Sequence, residues 1–332
     1  MERRLVSIQT IDTIGPIAGA DNIMQARVMG WTVVVKKGEF AAGDPCVFFE
    51  IDSVLPDGPA WSEFMRARGF RVRTLKLRGV LSQGLALPIA ILDGQDAPRD
   101  VDLRAQLGVT KFEAVLPDAR ELAGPFPTRV PKTDEIRLQS ALAVLDELRG
   151  QPFYVSTKCD GSSATYVRDS ADGFLACSRN WALARGDNHV WRLAERYQLE
   201  DRLPVDFAIQ AEVCGPGIQK NRLGLAAVDL FVFNVYDLRA GAFLELDAFR
   251  AFCAERGLPT VPIERVVRGD EALHYAHSLD GWLEAARGTY AGTKQRKEGI
   301  VVRPLVEQAS AALGGRLSFK VINNDFLLKD ED

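Results

Sequence analysis

Short apolar runs dominate the first hundred positions of the chain. Leu5–Ile11, Ile23–Val28, Trp31–Val35 and Cys46–Ile51 are rich in β-branched and aromatic residues and are broken by Gly, Pro, Asp and Asn, a pattern of strands and turns. Arg71–Leu77 and Gly84–Leu87 bring the set to five or so strands, and no long helical period falls among them. A small β-barrel buries so few strands, and the period alone does not choose among the barrels that do.

Prolines at 117, 125, 127 and 131 and two alanine-rich bits break the pattern between Gly108 and Lys132, which reads as a linker. Beyond it, Ser140–Leu148 carries apolar residues at 141, 142, 144, 145 and 148, a short amphipathic helix closed by Gly150. Strand-like runs follow at Phe153–Lys158, Ser163–Arg168, Phe174–Ser178, Phe207–Val213, Leu230–Tyr236, Gly299–Arg303 and Arg316–Ile322. Helical periods cover Val190–Leu199, Ala248–Arg256 and Glu271–Ala286. The expected fold class is α+β: a small N-terminal β-barrel over 1–108, for which the OB-type β-barrel is one common closure, a linker over 109–130 and one mixed-sheet domain over 131–332.

Composition narrows the chemistry. With 47% hydrophobic and 26% charged residues the 332-residue chain reads as a folded protein with room for two domains. No stretch approaches the roughly 18 apolar residues of a membrane span, and no secretory signal opens the chain, so a cytoplasmic location is expected. Five scattered cysteines and three histidines offer neither a disulfide framework nor a histidine-based metal site or triad. The net charge of −4 does not announce a nucleic-acid binder, but Phe64–Leu92 holds six basic residues (Arg66, Arg68, Arg71, Arg73, Lys76 and Arg78) and no acidic one. That segment makes a positive patch if the six share a surface, and a solvated strand pair gives the same letters.

Thr157-Lys158-Cys159-Asp160-Gly161-Ser162-Ser163 puts a lysine at the end of one β-run and a glycine before the next. A free lysine amine titrates near 10.4, so a nucleophilic lysine needs neighbours that loosen its proton; otherwise it is a hairpin lysine on the surface. What distinguishes it is the ordered company that follows: Cys177-Ser178-Arg179-Asn180, then Glu212-Val213-Cys214-Gly215-Pro216-Gly217-Ile218-Gln219-Lys220-Asn221, then Asp229-Leu230-Phe231-Val232-Phe233. Lys297-Glu298-Gly299-Ile300-Val301-Val302-Arg303-Pro304 and Ser318-Phe319-Lys320-Val321-Ile322-Asn323 complete the series. The series resembles the nucleotidyltransferase motifs of covalent polynucleotide ligases, and the Glu212–Asn221 stretch is similar to RNA ligases of the phage-type second family. The barrel-first order resembles the RNA ligases that carry an OB domain ahead of the transferase domain, including bacterial ones that seal nicks at an RNA 3′ end.

The resemblance runs over about 175 residues from Lys158 to the C-terminus and implies an ATP-grasp-like ligase domain with ATP and Mg²⁺ or Mn²⁺ as cofactors. It implies that Lys158 attacks the α-phosphate of ATP to form lysyl-AMP, that a 5′-phosphate then takes the AMP, and that a 3′-hydroxyl seals the strand. Glu212 falls at the ribose-contact position, Glu298 at the metal position, Phe233 where a ring stacks on adenine, and Lys320 where the α-phosphate is held. Arg179 and Asn180 approach the ribose or the 3′ end, and Asp160 and Gly161 shape the turn and admit the nucleotide. Without that context, a salt-bridged glutamate or a core phenylalanine accounts for the same letters. The partner implied is RNA, or an RNA–DNA hybrid, with 3′-hydroxyl and 5′-phosphate ends, and a monomer is expected.

One departure stands out: relatives usually place a second basic residue two positions after the last lysine, and here that position is Ile322. Lys329, Arg303 or a linker residue are the candidates to replace it. Pro131–Gln139 is similar to the approach segment of barrel-first ligases, which leaves Arg137 or Gln139 as further nucleotide contacts. A capping guanylyltransferase or a DNA ligase fits less well, because those enzymes carry their OB domain after the last motif and this chain ends 12 residues beyond Lys320. An OB-based RNA-binding protein without catalysis, using Arg66–Arg78 and Phe70, is the alternative of a different class.

Overall fold

A computed structural model of the chain describes residues 4–95, 97–99, 101–112 and 121–328. These form two units: one holds described residues up to 112 with Leu138–Leu142 and Leu328, the other holds 121–137 with Ala143–Leu327.

In the first unit, Pro45–Phe49 lies between Val6–Thr10 and Leu85–Pro88, and Ile23–Val28 between Thr13–Pro16 and Trp31–Lys36, giving two antiparallel three-stranded sheets. Thr74–Leu77 and Val80–Gln83 form a hairpin whose two turn residues, Arg78 and Gly79, both have positive φ, as the right-handed strand twist demands of a two-residue turn. Inward positions of the two three-stranded sheets meet in one core with Leu5, Trp31, Phe48, Phe49 and Leu103 fully buried. The chain returns to this core after leaving it. Gly30 N–H donates to the Gln139 carbonyl, the Trp31 indole donates to Ser140 at 3.2 Å, and Ser140 donates to Glu50 at 2.5 Å.

The basic segment is less positive in space than along the chain. Arg66 is held by Asp57 and Glu63, Arg71 by Asp52 at 2.7 Å, and the three acids lie outside the Phe64–Leu92 window. Phe70 packs on the core and under the Arg66 guanidinium.

The second unit is built on two sheets. Seven antiparallel strands run in the order Leu122–Pro125, Trp181–Leu183, Gly173–Cys177, Ser162–Asp169, Phe207–Cys214, Asp229–Asp237 and Ala242–Phe243. Five run Ile136–Arg137, Phe319–Ile322, Gly299–Pro304, Phe153–Lys158 and Ile263–Val267, antiparallel except for the parallel first pair. The helices His189–Arg196, capped by Asn188, and Leu246–Glu255 bury Trp191, Leu193, Phe249 and Phe252 in a core shared with Tyr154, Tyr166, Ile209 and Val232. This is an α+β architecture.

Two expectations are corrected. The stretch read as a linker over 109–130 holds, where described, an edge strand at Leu122–Pro125, with Phe126 and Val130 buried against Cys177 and Ala208. Proline is tolerated on an edge strand because only one side of it must hydrogen-bond, so the prolines there did not mean irregular chain. The period over Glu271–Ala286 is two helices, Gly269–His274 and Leu279–Ala285, because Ser278 caps a new start on Gly281 N–H and Tyr275 and His277 turn in to meet Phe153 and Trp282. Among the described residues no helix is long and apolar enough to cross a membrane.

Candidate active site

Lys158 is the last residue of its strand, paired across the ladder with Gly299. Its Nζ lies 2.8 Å from Glu298 Oε2, the carboxylate that immediately precedes the partner strand. Burial works against the lysine's charge, but Glu298 and then Glu212 outweigh it and hold the ammonium well above the ordinary lysine range. Gly299 has little choice of side chain: a Cβ there would stand 2.1 Å from the Val321 carbonyl oxygen.

Asp160 and Gly161 make the turn into the next strand. Asp160 accepts from the buried Arg222 at 3.3 Å, and a Cβ at Gly161 would sit 2.3 Å from the Val213 carbonyl oxygen and 2.9 Å from Glu212 Cγ. The turn therefore closes directly on the strand that carries Glu212. Burial is the main cause that lifts the Glu212 carboxyl to about 7; Lys158 opposes it, and Glu298 adds to it.

Phe233 is re-aimed by a β-bulge. Gln210 pairs with Asn234 and Ala211 with Val232, which leaves Phe233 as the extra residue between them. Phe231 and Phe233 are both half-buried against Cys159, Cys214 and Val261, beside the lysine's turn.

In the five-stranded sheet the register sorts the basic groups. Residues directly opposite each other share a sheet face, so Lys158, Gly299 and Ile322 form one row, and two positions along Ser156, Val301, Lys320 and Arg137 form the next row on the same face. Arg137 thus stands next to Lys320. Ile322 is buried in the lysine's own row. Gln139 belongs to the first unit, buried beside Gly30. Arg303 does not replace the missing basic residue: it is buried and donates to Glu135 at 2.6 Å, to Ser318 at 3.0 Å and to the Phe233 carbonyl at 3.4 Å. Lys329 lies outside the described residues. Arg179 pairs with Asp134, and Asn180 accepts from Lys132, so both side chains meet the approach segment.

Sequence reasoning passed over four residues that organise this site. Arg222 donates to Asp160; Glu135, kept ionised despite burial chiefly by Arg303, accepts from that arginine, which in turn donates to the Phe233 carbonyl; Tyr290 and Glu264 touch the flanks of Lys158 and Glu298. Arg222 follows directly on the Glu212–Asn221 motif, a signal available in the sequence. Glu135 lies inside the Pro131–Gln139 approach segment, where the resemblance points to Arg137 and Gln139 instead, and Tyr290 and Glu264 sit in stretches with no pattern of their own. Among the described residues no three His, Cys, Asp or Glu side chains gather into a metal cage. A single hard carboxylate, Glu298, fits an ion such as Mg²⁺ that keeps its waters and takes phosphate oxygens as further ligands.

With this geometry in hand, comparison with known proteins is specific. A family model described as RNA ligase matches residues 151–322, and one described as an OB-fold domain matches 5–89. The chain belongs to the RNA ligase family. Its structure is similar to that of a Naegleria gruberi RNA ligase: a lysine-to-alanine mutant of that protein solved with ATP and Mn aligns at 33% identity with a TM-score of 0.85, covering 97% of this chain and 98% of the other. The same protein with PPi aligns at 33% identity and a TM-score of 0.86 over 99% of each chain, and a glutamate-to-alanine mutant with AMP and Mn at 33% and 0.85 over 98% of each. No curated protein sequence matches. The expected OB domain and ligase domain are both present, in that order.

Proposed function

We propose that this RNA ligase uses ATP to load AMP on Lys158 and seals 3′-hydroxyl to 5′-phosphate ends at nicks in duplex RNA or an RNA–DNA hybrid, as a step of RNA repair. The observation that carries the reading is Lys158 Nζ at 2.8 Å from Glu298, with Glu212 beside them, at the end of a sheet whose next row presents Lys320 and Arg137.

Lys158 Nζ attacks the α-phosphorus of ATP; a P–N bond forms, the bond to the bridging oxygen breaks and pyrophosphate leaves. The resting ion pair keeps Lys158 protonated, so transfer begins when Glu298 is drawn from the ammonium. Glu298 is the residue that would hold a divalent cation, whose charge, when bound, offsets the phosphates and favours the neutral amine. Lys320, with Arg137 beside it, supplies positive charge for the phosphates, which supports Arg137 as the second basic group in place of Ile322. Glu212 accepts from the ribose and Phe233 stacks on the base. A 5′-phosphate oxygen then displaces Lys158 from the AMP, and the 3′-hydroxyl oxygen attacks that 5′-phosphate and releases AMP.

The test is incubation of purified protein with Mg²⁺ and α-labelled ATP or GTP, followed by denaturing electrophoresis. Label is expected from ATP on the wild type and on no Lys158→Ala protein. Label from GTP alone would favour a capping activity, and none from either, in protein stripped of nucleotide, would favour a non-catalytic RNA-binding role.

A further inference from the structure

Lys158 and Glu298 have long side chains, and their charged ends must stay free to meet phosphate and cation. Fixing such groups therefore falls to the backbone beneath them and to their immediate neighbours. Both kinds of contact are present. The Tyr290 hydroxyl donates to the Lys158 carbonyl at 3.0 Å and accepts the Glu298 N–H at 3.0 Å, so one oxygen joins the two main chains where their ladder ends. Tyr290 is 5% exposed and has no other motif around it. Asn323 grips the other side, its N–H donating to the Glu298 carbonyl at 2.9 Å and its side-chain amide to the Lys297 carbonyl at 3.0 Å.

Glu264 supplies a second tether. Ser156 pairs with Ile263 and Val155 with Arg265, so Glu264 is the extra residue of a β-bulge, turned out of the regular alternation. It accepts from the Thr157 hydroxyl at 2.8 Å and from the buried Lys297 ammonium at 2.6 and 2.8 Å. Thr157 and Lys297 immediately precede Lys158 and Glu298. One carboxylate thus holds both neighbours of the reacting pair, and neither Tyr290 nor Glu264 spends a contact on the Lys158 ammonium or the Glu298 carboxylate.

We propose that Tyr290 and Glu264 are positioning residues for nucleotidyl transfer, forming a two-point clamp that sets the separation and direction of Lys158 Nζ and Glu298. The proposal rests on the reading of Lys158 as the nucleophile. Tyr290→Phe keeps the ring and its packing and removes only the bridging oxygen. Thr157→Val removes one hydroxyl from the second tether at constant shape.

Single-turnover adenylation of full-length protein, cleared of bound AMP with pyrophosphate, is measured over a range of α-labelled ATP concentrations. Misplacing a reacting atom by about 1 Å costs on the order of 10²-fold, so Tyr290→Phe is expected to lower the maximal rate by up to about that factor. Thr157→Val should lower it less, and the ATP concentration for half-maximal rate should stay unchanged in both, because Glu212, Phe233 and Lys320, which meet ribose, base and phosphate, lie on other strands. A wild-type rate in Tyr290→Phe overturns the clamp, as does a loss expressed only in half-saturation. Should Tyr290→Phe fail to fold, Thr157→Val decides alone, and a wild-type rate there overturns the clamp. Absence of label on the wild type would instead overturn the reading of Lys158 itself.

Discussion

Glu212 is drawn out of water beside another carboxylate, and its proton records that environment. Its carboxyl sits near 7 rather than the ordinary 4.5, mainly through burial, with Lys158 opposing and Glu298 adding. Between those values the native state binds a proton that the unfolded chain has released, so the contribution of Glu212 to stability is complete below about 4.5 and is lost as pH rises through 7. A difference of that size corresponds to about 3 kcal/mol. Glu212→Gln, neutral at every pH, should therefore melt higher than the wild type at pH 8 and lose the advantage toward pH 5. Urea or thermal melts at both values check this; an equal difference at both would mean Glu212 is ionised throughout in the fold.

Two bulges and one turn shape the site at the level of elements. Phe233 and Glu264 are each the unpaired residue in an otherwise regular antiparallel pair, and each bulge turns its residue toward the surroundings of Lys158. The Asp160–Gly161 turn is tighter still, since the Val213 carbonyl occupies the space any side chain at 161 would need. Backbone cannot yield as a flexible side chain does, so Gly161→Ala must push the turn off the strand that carries Glu212. Gel assay of the α-labelled adduct should show adenylation reduced on the order of 10²-fold in a protein that still folds. Wild-type labelling would show that the turn relaxes without moving Lys158.

At the scale of the molecule, the side chains found around Lys158 (Glu298, Glu212, Asp160, Phe233 and Lys320) all belong to the second unit. Residues 109–332 alone should keep lysine adenylation while sealing a nicked duplex less well than the full chain. Adduct gels and sealing of a labelled nick, run side by side, test this; equal sealing would remove the N-terminal unit from substrate handling. The shortened chain carries a cost of its own. Leu138, fully buried, and Gln139, bonded to Gly30, belong to the first unit, so removing residues 1–108 takes away partners of this segment.

The sequence by itself determined the strand that ends at Lys158, the strand Ile23–Val28 and the spacing of the motifs, because alternation, turn glycines and contiguous motifs are local properties of the chain. It also led to the family. The tertiary structure decided what those motifs meet. Ile322 shares a row with Lys158, and Arg137 stands beside Lys320, only through ladders joining residues far apart in the chain. The bulges at Phe233 and Glu264 exist only as mismatches between two strands, and a single strand read alone has no register. Tyr290 reaches Lys158 from 132 positions away through a loop with no pattern of its own. Pairing across such distances is set by which apolar faces pack together, and no local window contains that information.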